Sequence, residues 1–190
     1  MKKVFYVLLL LLCAAFFTQL HAQVHLKAVA PPGDLGGQII GDSKQKGHEN
    51  EIEVLSYSQG VAGCTPNLSR GGLNACRASV GSLNFMMQFN PGLNQLRSMV
   101  LSGRRLQTAD FVFEKAAGDQ KMVYYKIHME DIAVVAVQES GSSELPMVSV
   151  EFAAARIAWA IYAQDQTGQT KLVNKVGFNV ATNTFWSYSF

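Results

Sequence analysis

The residue types in this chain that invite chemistry are His25, His48 and His128, the cysteines Cys64 and Cys76, and the neighbouring acids Glu130 and Asp131. A hydrolase needs a nucleophile beside a base, and a metal centre needs several such side chains within bonding distance of one ion. The spacing favours neither. The three histidines fall on separate elements, so only the fold can gather them, and they are expected at the surface or rim. Glu130 and Asp131 are adjacent, and adjacent side chains in a strand point to opposite faces, which spoils them as an acid/base pair. Glu151 and Arg156 suit an ordinary ion pair across a sheet. There is no G-x-S-x-G, no H-E-x-x-H and no phosphate-binding loop. No catalytic, cofactor or metal-binding residue is expected, and neither is an enzyme.

The cysteines belong with the chain's start. Lys2 and Lys3 precede an apolar run, residues 4–17, and Leu20-His21-Ala22 offers a cleavage site before Gln23. That pattern predicts a signal peptide over residues 1–22 and an exported, periplasmic or secreted protein. A retained anchor is the alternative, though the run is shorter than the roughly 20 residues a membrane span needs. Bulky Leu12 before Cys13 argues against lipoprotein cleavage. Removing 22 of 190 residues leaves 168, enough for a single domain, residues 23–190, with a sizeable core. Lys2 and Lys3 account for the formal charge of +2, so the mature chain is near neutral, with no basic stripe for nucleic acid. Cys64 and Cys76 then remain as a pair in an oxidising compartment, most simply a disulfide, closing a loop with Pro66, Gly71 and Gly72. Such a closure stabilises by roughly 3 kcal/mol. Asn67-Leu68-Ser69 matches a short glycosylation sequon.

The elements that would position these residues are mostly strands. Residues 41–50 form a polar, Gly-punctuated loop with Lys44, Lys46, His48 and Glu49. Ile52, Val54, Leu55 and Tyr57 alternate irregularly with Glu51, Glu53, Ser56 and Ser58 up to Gly60, a strand of mixed faces that suits a barrel wall. Residues 24–30 form a short strand before Pro31-Pro32. In residues 78–89, Leu83, Phe85, Met87 and Phe89 share one face. Asn90-Pro91 opens a helix over about residues 91–102, with Leu93, Leu96 and Val100 at helical spacing and Gly103 as its stop. Strands follow at 107–114, at 122–129 after a turn at 116–120, and at 132–138, an apolar run suited to burial. The segment 147–164 starts with Val148, Val150 and Phe152 on one parity and continues with Ile157, Trp159 and Ile161 on the other. That switch predicts a bulge near Ala155-Arg156. Val176, Phe178 and Val180 make the last clear strand. The closing Trp186-Ser187-Tyr188-Ser189-Phe190 has the alternating aromatics of outer-membrane barrel signals, but mid-strand Lys and Glu disfavour lipid-facing walls.

Several of these stretches carry a resemblance. GDSKQKGHENEIEVLSYSQGV, starting at Gly41, resembles the N-terminal signature of the haemolysin-coregulated (Hcp) tube proteins of type VI secretion. The strand-helix layout of residues 84–105, then Tyr124-Tyr125-Lys126-Ile127 with Met129-Glu130-Asp131-Ile132, follow the same family's order. So do Val148-Ser149-Val150-Glu151-Phe152-Ala153 and Gly177-Phe178-Asn179 with Asn183. The matches run from about Leu26 to Trp186. The resemblance implies a mainly β, Hcp-like barrel or two-sheet sandwich with one short helix. It also implies a structural subunit that closes into hexameric rings, stacks into a tube and carries effectors. Its partners would then be itself, a spike protein, a contractile sheath and cargo, with no nucleic acid and no stable membrane insertion. Within that picture the loop with Lys44, Lys46, His48 and Glu49 is the candidate ring-stacking contact. The alternative is an exported Hcp-like module acting in binding or adhesion, which the leader and the cysteine loop favour.

Overall fold

The computed structural model describes residues 22–33, 36–63, 77–117, 120–141, 146–165 and 168–190. Residues 1–21 of the expected leader, the expected Cys64–Cys76 disulfide and the Asn67 sequon lie outside the described residues. Strands dominate: β1 (Gln23–Ala30), β2 (Gly37–Gln38), β3 (Ile52–Glu53), β4 (Ser56–Ser58), β5 (Val61–Ala62), β6 (Ser79–Val80) and β7 (Leu83–Gln88) precede the helix α1 (Leu93–Ser102). Then come β8 (Arg105–Ala117), β9 (Gln120–Ser140), β10 (Met147–Gln164), β11 (Thr170–Asn179) and β12 (Thr184–Phe185).

All strand pairings are antiparallel, and ten strands form one sheet in the order β12-β11-β10-β9-β8-β1-β2, with β7 on β10, β4 on β7 and β3 on β1. β5 and β6 make a separate two-stranded ribbon. The ladder is not a fully closed barrel; its two margins are brought together by residues 52–58. Ile52 and Glu53 pair with β1 and the Val54 amide donates to the Val24 carbonyl. One residue on, the Leu55 amide donates to Met86, and β4 continues along β7. This change of partner explains the mixed faces read from the sequence: Ile52 and Val54 are buried, while Leu55 and Tyr57 are exposed.

The enclosed core is built from the inward parity of each strand. Leu26 and Ala28 of β1, Phe85 and Met87 of β7, Phe111 and Phe113 of β8, and Val150 and Phe152 of β10 are all buried. Phe85, Phe111 and Phe152 meet edge to face at centroid distances of 5.0–6.4 Å, an arrangement that adds to plain area burial. Phe89, expected on that face, lies beyond β7 and is exposed. α1 covers one end of the core with Leu93, Leu96 and Met99, so Met99 takes the place expected of the half-buried Val100. Asn90 does not cap the helix directly. Its Oδ1 accepts from the Gly92 amide at 3.0 Å, and the helix begins at Leu93. Gly103 ends it in the left-handed region, φ 66°, as its position predicts.

One crease runs across three strands. Inward parity changes from Leu106 to Ala109 in β8, from Ile132 to Met129 in β9 and from Phe152 to Ile157 in β10. The residues at the crossing, Gln107, Asp131 and Ala155, are skipped by the pairing ladders. Asp131 sits there at φ 52°, and Arg105 grips both its carboxylate (2.5 Å) and its carbonyl (2.7 Å). The freed Ala155 carbonyl accepts from Val180 at 2.8 Å. The parity switch expected in β10 is thus present, but not as a bulge near Ala155-Arg156: register with β9 is kept from Ala154 to Arg156 and slips instead at Glu151/Phe152, where Val135 is the extra residue. Glu130-Asp131 is no break between strands, because β9 continues through it. Residues 132–138 are not buried on both faces either, since Val135 is half exposed.

Candidate functional site

Two covers lie on the outer face of the wall, and they account for most of the chemistry-bearing side chains. The first is the loop 41–50. Gly41 begins it because no side chain fits there: a Cβ would stand 2.1 Å from the Glu51 carbonyl oxygen. Main-chain bonds from Gly41 to Asn50, from Asn50 to Ser43 and from His48 to Gln45 fold the loop on itself, with Gly47 (φ 89°) and Asn50 (φ 62°) making its reversals. Lys44, Lys46 and Glu49 are exposed, and Glu49 accepts from the Gly47 amide at 2.9 Å.

His48 points the other way. Its ring stacks on His25 of β1, centroids 4.2 Å apart and 9° from parallel. Its Nδ1 lies 2.7 Å from Glu51 Oε2 and its Nε2 lies 3.2 Å from Glu114 Oε1. Gln45 Nε2 donates to the other Glu114 oxygen at 2.7 Å. Lys121 closes the rim, donating to Gln23 Oε1 at 2.5 Å and to Gln45 Oε1. His25 is 1% exposed, and neither ring nitrogen has a hydrogen-bond partner. Burial, and next the neighbouring His48, lower its pKa below the ordinary 6.5.

The second cover is the C-terminal run 186–190. The Trp186 amide donates to Gly177 at 2.8 Å, and Lys175 Nζ donates to the Tyr188 carbonyl at 2.7 Å. Tyr188 stacks on His128 at 3.9 Å, with Trp186 and Phe190 flanking Tyr188. His128 Nδ1 lies 2.6 Å from Asp110 and Nε2 3.3 Å from Glu130, while Arg156 reaches Glu130 at 2.7 Å rather than Glu151. Burial pulls the His128 pKa down, but the bonds and charges of Asp110 and Glu130 prevail and raise it above the ordinary value.

The expectation of surface histidines therefore fails for His25 and His128, both buried. A signal for the second existed: antiparallel pairing of the expected strands 107–114 and 122–129 sets Asp110 opposite His128. Nothing local to residues 23–30 announces that loop 41–50 folds over His25.

Beside the tail, β11 leaves Leu172, Val173 and Val176 exposed and β12 leaves Phe185 84% exposed. Val61, Tyr125, Trp159 and Val176 help line an apolar groove of about 510 Å³ there. Among the described residues no helix is long and apolar enough to cross a membrane.

A family model described as the type VI secretion system effector Hcp matches residues 33–161. The chain is 26% identical over 106 residues to Protein hcp1 of Pseudomonas aeruginosa. That match spans 56% of this chain and 65% of the relative, just under two thirds of its length. Among solved structures, one of a type six secretion system protein superposes with a TM-score of 0.74 at 23% identity, covering 87% of this chain and all of the other. Hcp1 from Salmonella typhimurium gives 0.63 at 24% identity, covering 87% and 99%. Hcp1 from Escherichia coli EAEC 042 gives 0.66 at 20% identity, covering 83% and 98%. At these identities the structural likeness shows the fold.

Proposed function

The chain belongs to the Hcp family of type VI secretion, and from that premise we propose that it is a structural tube subunit, forming hexameric rings that stack and carry effectors. The family match over residues 33–161 carries the reading. The molecule offers the kind of surface that assembly needs. A ring contact requires apolar area on a strand margin, and Val173, Val176 and Phe185 supply it along β11 and β12. A stacking contact requires exposed, charged loops, and Lys44, Lys46 and Glu49 project from the loop 41–50. No catalytic role is assigned. Spike, sheath and cargo partners come with the family reading; a leader over residues 1–22 and a Cys64–Cys76 disulfide belong instead with the second reading below.

The double charge reversal Lys44→Glu/Lys46→Glu tests the stacking assignment. Sedimentation velocity should find rings of unchanged mass that no longer form longer assemblies. Undiminished stacking would overturn the assignment of this loop. The leader favours a second reading, an exported Hcp-like binding module, and a protein that remains monomeric at every concentration would support it.

A further inference from the structure

The loop that presents Lys44 and Lys46 outward closes inward over two imidazoles and two carboxylates, which a tube contact does not require. His25 is the informative member. A neutral imidazole carries one N–H and one lone pair, and here both ring nitrogens are buried without a partner, an arrangement that native structures rarely leave unexplained. One donor atom from each of His25, His48 and Glu51 lies within 4.8 Å of the other two. Glu51 meets His48 at Nδ1, while Glu114 Oε1 meets the other ring nitrogen, Nε2, at 3.2 Å and so orients the imidazole from behind. We propose that His25, His48 and Glu51, with water completing the coordination, bind one first-row divalent transition ion of the zinc class.

The donor set selects the ion. Two imidazoles suit zinc and its neighbours, whereas calcium and magnesium seek oxygen ligands. Glu114 supplies the outer carboxylate that fixes a ligating histidine: Gln45 Nε2 holds its Oε2 and leaves Oε1 on His48 Nε2, which sets the tautomer with the other nitrogen free for the ion. Bonds of about 2.0–2.2 Å set tetrahedral donors roughly 3.4 Å apart, so the widest spacing in the cluster must close by about an ångström while the 2.7 Å His48–Glu51 contact opens. The two stacked rings must also turn out of parallel, because an imidazole nitrogen bonds in its own plane. Both movements draw His48, and the loop that carries it, onto β1. The ion would therefore act as a clamp fastening loop 41–50 to the wall, whether or not that loop is a ring contact. His25 lies before the family-matched residues 33–161, so the site is read from this chain's own residues.

The test uses protein expressed from the full sequence without a histidine tag, stripped with a chelator and titrated with Zn²⁺ against a chromophoric competitor. Uptake of one ion per chain is expected. Co²⁺ in its place should give the visible bands of a four-coordinate site without a thiolate charge-transfer band, which sets Cys64 and Cys76 aside. His25→Phe and Glu51→Gln should each weaken binding at least tenfold, while His128→Gln, in the other histidine-carboxylate cluster, should not. If His25→Phe fails to fold, Glu51→Gln decides the matter, because Zn²⁺ should raise the melting temperature of the wild type and not of that variant. Absence of stoichiometric uptake, or wild-type affinity in Glu51→Gln, would overturn the proposal. Stacking assays on metal-free protein read the tube assignment separately.

Discussion

His128, on which Tyr188 of the C-terminal run stacks, is tied to Asp110 and Glu130 through a charge that depends on pH. Its pKa is raised in the folded chain, so protonation favours the fold. The stabilisation is fully present below the unfolded value near 6.5 and is lost as pH rises through the raised folded value. Thermal unfolding followed from about pH 5 to about pH 9 should show wild-type stability falling across that upper range. His128→Gln should remove that part of the pH dependence, and an unchanged profile would contradict the role. Gly177 works beside it by lacking a side chain: a Cβ there would meet the Trp186 carbonyl oxygen at 2.3 Å. Gly177→Ala should push the tail off the wall, costing about 1–3 kcal/mol and shifting Trp186 fluorescence toward that of a solvated indole. At this level the sequence was legible for exposed side chains and opaque for covered ones. Lys44, Lys46 and Glu49 announce their exposure by the polar loop around them. His25, flanked by Val24 and Leu26 on an alternating strand, reads as a wall residue facing water until the loop folded over it is known.

The crease at Gln107, Asp131 and Ala155 is the feature that turns the long strands around the core. A β-branched residue resists positive φ, so Asp131→Val should destabilise by about 1–3 kcal/mol in urea titration. Asp131→Gly should cost less, since glycine enters that region freely. Equal stability of the two variants would mean the crease tolerates a regular strand. The sequence showed the crease in β10, where Phe152 and Ile157 differ in parity. It concealed the crease in β9, where strands expected separately at 122–129 and 132–138 run together through Glu130-Asp131 as one, with Val135 half exposed. The core itself was plain from period-2 alternation. Phe152→Ala, which empties the junction with Phe85 and Phe111, should cost about 3–5 kcal/mol by chemical denaturation.

At the level of the whole molecule, the order of motifs from Leu26 to Trp186 carried the family before any strand was placed, and among the described residues the sheet of ten strands with one helix agrees with it. Strand pairing across the margins was not readable, because residues 52–58 serve two partners in one extended run and nothing in their types marks the handover. The outer face divides the molecule's tasks. Loop 41–50 and the 186–190 tail seal two polar patches, while Leu172, Val173, Val176 and Phe185 of β11 and β12 stay uncovered among polar neighbours. Negative-stain electron microscopy of the purified protein addresses the tube assignment most directly. Six-fold rings with an open pore, some of them stacked end to end, are the predicted result. A field of single globular particles at micromolar concentration, unchanged after reduction, would contradict it and leave the exported binding module as the function of this fold.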